Sequence, residues 1–136
     1  MIKTFKDKKL VQKDLEAVDK KLCDILNLET NKDILAINQY ILSTIGKKLR
    51  PTLVLLTFRS FCSSPSSKQY QQLINLCAGL ELLHIASLIH DDIIDKAEIR
   101  RDKQSLYAKF GEEIAIPMGV YYYSLSNIVD LKTEAG

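Results

Sequence analysis

The sequence predicts an all-α fold, a helical bundle, and three observations carry that expectation. Apolar residues recur at spacings of three and four rather than two. Only five glycines and three prolines interrupt 136 residues, so helices can run long. The segment from Leu76 to Asp95, LCAGLELLHIASLIHDDIID, is apolar nearly all round from Leu76 to Ile89, as a buried central helix is. The length fits one domain, read as a single all-α domain over residues 1–136. Hydrophobic content of 46% and charged content of 26% are ordinary for a globular chain.

The elements follow in order. Leu10, Val11, Leu15, Val18, Leu22, Ile25 and Leu26 form one amphipathic stripe, hence a first helix. Thr30 or Asn31 caps a second helix running to about Thr44, and Ile45-Gly46 ends it. Pro51 suits the first turn of a third helix, PTLVLLTFRSF. Ser63 to Ser67, with Pro65, reads as a loop. A long helix follows from about Lys68 to Asp95. A polar connection, Lys96 to Lys103, leads to a last helical region, broken at Gly111, resumed at Glu112, and kinked or restarted at Pro117.

Charge and cysteine content narrow the function classes. The net charge is +2. Lys3, Lys6, Lys8, Lys9, Lys13, Lys20 and Lys21 crowd the start, but Asp7, Asp14, Glu16 and Asp19 are interleaved. That mixture is a solvated helix face rather than a polybasic patch, so no nucleic-acid partner is expected and the charge does not single out a membrane. Cys23, Cys62 and Cys77 are odd in number and widely spaced, which suits a reducing compartment. The start, MIKTFKDKKL, has no apolar h-region, and the expected location is cytoplasmic. Glu81 and His84 interrupt the apolar run and make it a poor membrane span.

Four features carry chemistry. Asp91, Asp92 and Asp95 finish the apolar helix at three- and four-residue spacing, so the pattern places them on one side of it. Like charges there repel and call for a cation. Mg²⁺ is usually held by one or two carboxylates together with substrate phosphates; the pattern alone also fits a solvated acidic helix end. Gly46-Lys47-Lys48-Leu49-Arg50-Pro51 sets three cations at a loop-to-helix junction, where backbone N–H groups favour an anion. Lys47 and Arg50 could grip one diphosphate from two sides; a basic surface turn is the alternative. Arg100-Arg101 offer bidentate phosphate contacts or simply balance the neighbouring acids. His84 precedes Asp91 by two helical turns and shares its face, whereas His90 reads as a core histidine. Together these point to a diphosphate substrate with a divalent metal. Ile85, Ala86, Ser87, Leu88 and Ile89 suggest an apolar wall for a hydrocarbon tail below the aspartates.

These motifs resemble those of the trans-isoprenyl diphosphate synthases, the polyprenyl synthetase family. GKKLRP is similar to the family's Gly-Gly-Lys-Arg-x-Arg-Pro, with Ile45 in place of the first glycine and Lys48 in place of arginine. ELLHIASLIHDDIID resembles its first aspartate-rich motif and the helix before it. Arg100-Arg101 and Phe110-Gly111 resemble a following arginine pair and a Phe-Gly. The resemblance runs from roughly Val11 to about Leu125. It departs at Asp102, Gln104 and Ser105, where the family has Gly, Pro and Thr, and at Gly119-Val120, where it has Gly-Asp.

The resemblance implies a prenyltransferase that condenses isopentenyl diphosphate with an allylic diphosphate to give a longer trans-polyprenyl diphosphate. Asp91 and Asp95 would be Mg²⁺ ligands, with Asp92 supporting them. Arg100 would contact the allylic diphosphate, and Lys47, Arg50, His84 and Arg101 the isopentenyl diphosphate. Small residues at Ala86 and Ser87 imply a geranylgeranyl or longer product, whose apolar chain is of a kind that reaches membranes. Family members are about twice as long and carry a second aspartate-rich motif that these residues do not contain. A truncated or split chain is therefore expected, one that forms a homo- or hetero-oligomer or needs a partner chain supplying that motif.

Overall fold

The computed structural model describes residues 10–134, and their side chains as far as Asp130. Lys3, Lys6, Asp7, Lys8 and Lys9 of the mixed-charge stretch lie outside the described residues. In chain order the elements are α1 (Gln12–Asn27), α2 (Lys32–Leu42), α3 (Leu49–Phe61), α4 (Ser67–Ile94), β1 (Ile99–Arg100), β2 (Lys103–Gln104), α5 (Leu106–Phe110) and α6 (Glu112–Glu134). α4 is the central element: α1, α3, α5 and α6 all pack against it.

Local chemistry explains where the helices begin. The Asn31 side chain accepts hydrogen bonds from the Asp33 and Ile34 N–H groups at 2.9 and 3.2 Å, the reach of an N-cap. Ser66 and Gln69 form a reciprocal capping box at the head of α4. α3 starts after Lys48, whose φ of 51° is left-handed, and Pro51 sits in its first turn, where a missing N–H costs no ladder bond. Pro117 neither ends nor restarts α6, which runs continuously past it.

The connection read from sequence as merely polar is a hairpin. Ile99 pairs with Gln104 and Arg100 with Lys103, antiparallel. Its turn residues, Arg101 and Asp102, have φ of 51° and 64°, the double left-handed conformation of a tight hairpin turn. Glycine or asparagine usually occupies such positions, and neither is present to announce the turn.

Burial follows the helical stripes. Leu15, Val18, Leu22 and Leu26 line the inner face of α1, with Val11 buried at its N-cap, each stabilising by roughly 1.5–3 kcal/mol when fully buried. Leu10, assigned to that stripe from sequence, is 77% exposed instead. α4 buries Leu73, Ile74, Cys77, Ala78, Leu82, Ile85, Ala86 and Ile89. Burial pushes the Cys77 thiol up to about 12, so it stays a neutral core residue. By length and composition α4 is apolar enough to cross a membrane, but its apolar side chains are spent on α1, α3 and α6. At Gly119 the absence of a Cβ lets α6 approach α4, because a side chain there would collide with the His90 ring.

Two buried polar clasps join helices distant in sequence. Asp14 of α1 accepts a two-pronged pair from Arg59 of α3 at 2.9–3.1 Å, and a hydrogen bond from the Tyr70 hydroxyl of α4 at 3.1 Å. Asn38 of α2, fully buried, donates to the Leu26 carbonyl at 2.9 Å and accepts from the Tyr122 hydroxyl at 2.8 Å. The second clasp ties α1, α2 and α6 and leaves its polar atoms partnered, which buried polar groups require.

Tyr122→Phe is expected to lower unfolding stability by about 1–3 kcal/mol, because the Asn38 side-chain oxygen would stay buried without its donor. Urea unfolding of the two chains measures it, and an unchanged midpoint would show that the clasp contributes nothing.

Candidate functional site

The aspartate trio divides into one inward and two outward carboxylates. Asp92 is buried at 3% exposure, while Asp91 and Asp95 are exposed. The helical spacing suggested that all three share one side, and the structure corrects this. The reason is Arg100, which has no place in a helical pattern because it arrives on β1. Its Nε and Nη2 donate to both Asp92 oxygens at 2.6–2.9 Å, a bidentate geometry. Hydrogen bonding to Asp92 raises the Arg100 guanidinium above its ordinary value, and the charges of Asp91 and Asp95 add to this against desolvation. The Ala97 N–H donates to the Asp92 carbonyl at 2.9 Å and seals the helix end.

Among the described residues, no three His, Cys, Asp or Glu side chains converge on a point where they alone would hold a metal. The donor set at Asp91 and Asp95 fits a looser arrangement. Two exposed carboxylates one turn apart suit a divalent ion that takes its remaining ligands from water and phosphate.

Beside the acidic end lies a basic cleft of about 490 Å³, lined by Ile45, Gly46, Lys47, Lys48, Leu49, Arg50, Glu81, His84 and Arg101. Four residues expected from sequence to share an anion site, Lys47, Arg50, His84 and Arg101, therefore do meet in one cavity. The hairpin is held there by hydrogen bonds to α2 and its end, among them three accepted by backbone carbonyls. Arg101 donates to the Thr44 carbonyl at 3.1 Å, the Lys103 ammonium to the Ser43 carbonyl at 2.9 Å, and the Tyr40 hydroxyl to the Gln104 carbonyl at 2.8 Å. Gly46 has no side chain for a reason: a Cβ would collide with the Arg101 guanidinium. Lys48 pairs with Asp19 and so braces the wall from α1. Burial, then the charges of Arg50, Arg101 and Arg100, press the His84 imidazole below its ordinary value, with Asp91 opposing. A neutral His84 can donate or accept a hydrogen bond here without adding charge.

Glu81 belongs to this cleft although sequence reading passed over it as an interruption in an apolar run. It is 4% exposed and lines both the basic cleft and an inner compartment shared with Asp92, Arg100 and Arg101. The legible signal was its spacing: it precedes His84 by one turn, on the same face.

The apolar wall predicted below the aspartates is split by helical geometry. Ile85, Leu88 and Ile89 line the inner compartment near Asp92. Ala86 and Ser87 instead face a groove of about 250 Å³ against α6, with Leu83, His90, Val120 and Tyr123. The small residues leave room as expected, but the groove is not free of aromatics, because Tyr123 enters it from α6. His90 lies at this boundary, its Nε2 3.2 Å from the Ile116 carbonyl oxygen.

Comparison with known proteins agrees with the fold. Residues 31–133 match the family model described as polyprenyl synthetase. A short chain isoprenyl diphosphate synthase of Methanothermobacter thermautotrophicus is 31% identical over 115 residues, covering 85% of this chain and 34% of that protein. Heptaprenyl diphosphate synthase component 2 of Geobacillus stearothermophilus is 34% identical over 87 residues, covering 64% of this chain and 26% of that protein. Among solved structures, heptaprenyl diphosphate synthase from Staphylococcus aureus superposes with a TM-score of 0.75 at 27% identity, over 89% of this chain and 37% of that one. A polyprenyl synthase from Caulobacter crescentus, complexed with calcium and isoprenyl diphosphate, shares the fold with a TM-score of 0.82 at 21% identity, over 94% of this chain and 37% of that one. The chain thus spans about a third of the length of such relatives.

Gly46→Ala is expected to weaken binding of inorganic pyrophosphate about tenfold, because the new methyl group displaces Arg101 from the cleft, and one charge-assisted phosphate contact is of that size. Titration calorimetry against the unaltered chain checks this; equal affinities would remove Arg101 from the site.

Proposed function

The chain belongs to the polyprenyl synthetase family, and on that premise we propose that it supplies the first acidic motif and the basic cleft of a trans-prenyl diphosphate synthase. The reaction is condensation of isopentenyl diphosphate with an allylic diphosphate, giving a trans-polyprenyl diphosphate of geranylgeranyl length or longer. The observation that carries this reading is the adjacency of two sites of opposite charge across α4. Exposed Asp91 and Asp95 lie at its end, and the cleft of Lys47, Arg50, His84 and Arg101 lies alongside.

Asp91 and Asp95 would hold Mg²⁺, which when bound neutralises diphosphate charge and favours departure of that group. The chain's own residues do the rest of the positioning. Arg100, set by Asp92, keeps a fixed cation beside the acidic end, where the departing allylic diphosphate gathers charge. Lys47, Arg50, His84 and Arg101 grip the diphosphate of the isopentenyl substrate in the cleft they line together. The isopentenyl double bond then attacks the allylic carbon left by diphosphate, and loss of a proton restores the alkene. The groove at Ala86 and Ser87 receives the growing hydrocarbon; both are small, and this supports a long product, with Tyr123 bounding the groove from α6.

A second aspartate cluster is not among these 136 residues, whose acidic residues beyond Asp102 are Glu112, Glu113, Asp130 and Glu134. Full activity therefore needs carboxylates from further residues, on the same polypeptide or on a partner. The name of one relative as a synthase component supports partnering between subunits, in a homo- or hetero-oligomer; the alternative reading is an inactive or split subunit completed by another chain. Its place would be cytoplasmic, near membranes that take up the product.

The 136-residue chain with Mg²⁺, isopentenyl diphosphate and geranyl diphosphate is expected to turn over at background rate. Adding a polypeptide that carries the second aspartate motif is expected to raise the rate at least about a hundredfold, the scale of a restored electrostatic clamp. Robust turnover by the chain alone would contradict the shared-site reading. A product limited to fifteen carbons would contradict the long-chain reading.

A further inference from the structure

We infer that Glu81 is a positioning residue of the basic cleft, its buried carboxylate turning the Arg50 and Arg101 guanidiniums toward an incoming diphosphate. This rests on the reading of that cleft as a diphosphate site. Glu81 is 4% exposed and borders both the basic cleft and the inner compartment. An ionised carboxylate is rarely buried unless cations compensate it. Its carboxylate is not the partner in the ion pairs at Lys48, Arg59 or Arg100, which are made with Asp19, Asp14 and Asp92.

The charges facing Glu81 come from every element around it. Arg50 and Lys48 stand at the head of α3, Arg101 reaches in from the hairpin, and Asp19 opposes them from α1. Burial raises the Glu81 carboxyl above its ordinary value, and Arg50, Lys48 and Arg101 pull it back, in that order. Lys48 is engaged with Asp19 and Arg101 already donates to the Thr44 carbonyl. Arg50 lines the same cleft as Glu81 with an exposed side chain, and its charge leads those that favour the Glu81 carboxylate. A guanidinium has donors on more than one edge. One edge can meet Glu81 from behind while another presents N–H groups to phosphate oxygens.

The inference predicts an effect opposite in sign to simple electrostatics. A carboxylate inside an anion site repels the ligand, so deleting its charge should tighten binding if it did nothing else. Loss of a support for Arg50 and Arg101 weakens binding instead.

The test is calorimetric titration of inorganic pyrophosphate into the unaltered chain, Glu81→Gln, Glu81→Asp, Arg50→Gln and the Glu81→Gln/Arg50→Gln double variant, with thermal unfolding of each. Glu81→Gln is expected to bind about tenfold more weakly, and in the Arg50→Gln background to change affinity by less than about twofold, the non-additivity of groups that act together. Glu81→Asp, which keeps the charge but shortens its reach, is expected to lose affinity as well, and it carries the test if Glu81→Gln fails to fold. Equal or tighter binding by a folded Glu81 variant, or full additivity with Arg50→Gln, would overturn the inference and leave the cleft as a diphosphate site. An unaltered chain that does not bind pyrophosphate would overturn both.

Discussion

The arrangement of the site depends on one ion pair, Asp92 with Arg100. Asp92 is the carboxylate that α4 cannot present to solvent, and it is accommodated in the interior because a guanidinium meets both of its oxygens at 2.6–2.9 Å. Breaking such a pair from one side is costly, since the remaining charge is left uncompensated. The pair does more than stabilise. It anchors the hairpin to the end of α4, which brings Arg101 over Gly46 and closes the basic cleft. It also separates the aspartates by role, with one structural carboxylate and two left outside.

The bundle is built to hold α4 where this pair needs it. The Asp14–Arg59–Tyr70 clasp sets α1 and α3 against one part of the helix, and the Asn38–Tyr122 clasp ties α6 to the α1–α2 pair. Close contact at Gly119 brings α6 against His90 beside the acidic end. Several apolar side chains of α4 and α6, among them Leu83, Val120 and Tyr123, remain exposed along the groove. A hydrocarbon ligand or further helices would cover them.

Much of this was legible in the residues. The helices announced themselves by period, and Asn31, Gly46 and Pro51 marked their ends, because capping and turn chemistry is local; the Ser66 cap lay inside a stretch read only as loop. The convergence of Lys47, Arg50, His84 and Arg101 was legible only through their motifs, since the hairpin that carries Arg101 has no sequence signal. Arg101 and Asp102 occupy left-handed positions without a glycine, and nothing in the composition betrays it. The inward turn of Asp92 was hidden for a related reason: helical spacing treats Asp91, Asp92 and Asp95 alike, and the partner that distinguishes them lies on a strand. Glu81 was missed because a single charge in an apolar run reads as an interruption until its neighbours in space are known. The aromatic edge of the groove was missed because Tyr123 lies on a different helix from Ala86 and Ser87.

The central claim is that Asp91 and Asp95 present a divalent ion to a diphosphate while Asp92 serves Arg100. Titration of geranyl diphosphate with and without Mg²⁺ into the unaltered chain, the Asp91→Asn/Asp95→Asn variant and Asp92→Asn tests it most directly. The account predicts Mg²⁺-enhanced binding that disappears in the double variant with unfolding stability retained, whereas Asp92→Asn lowers stability by about 3 kcal/mol or more. Unchanged Mg²⁺-dependent binding in the double variant would contradict it.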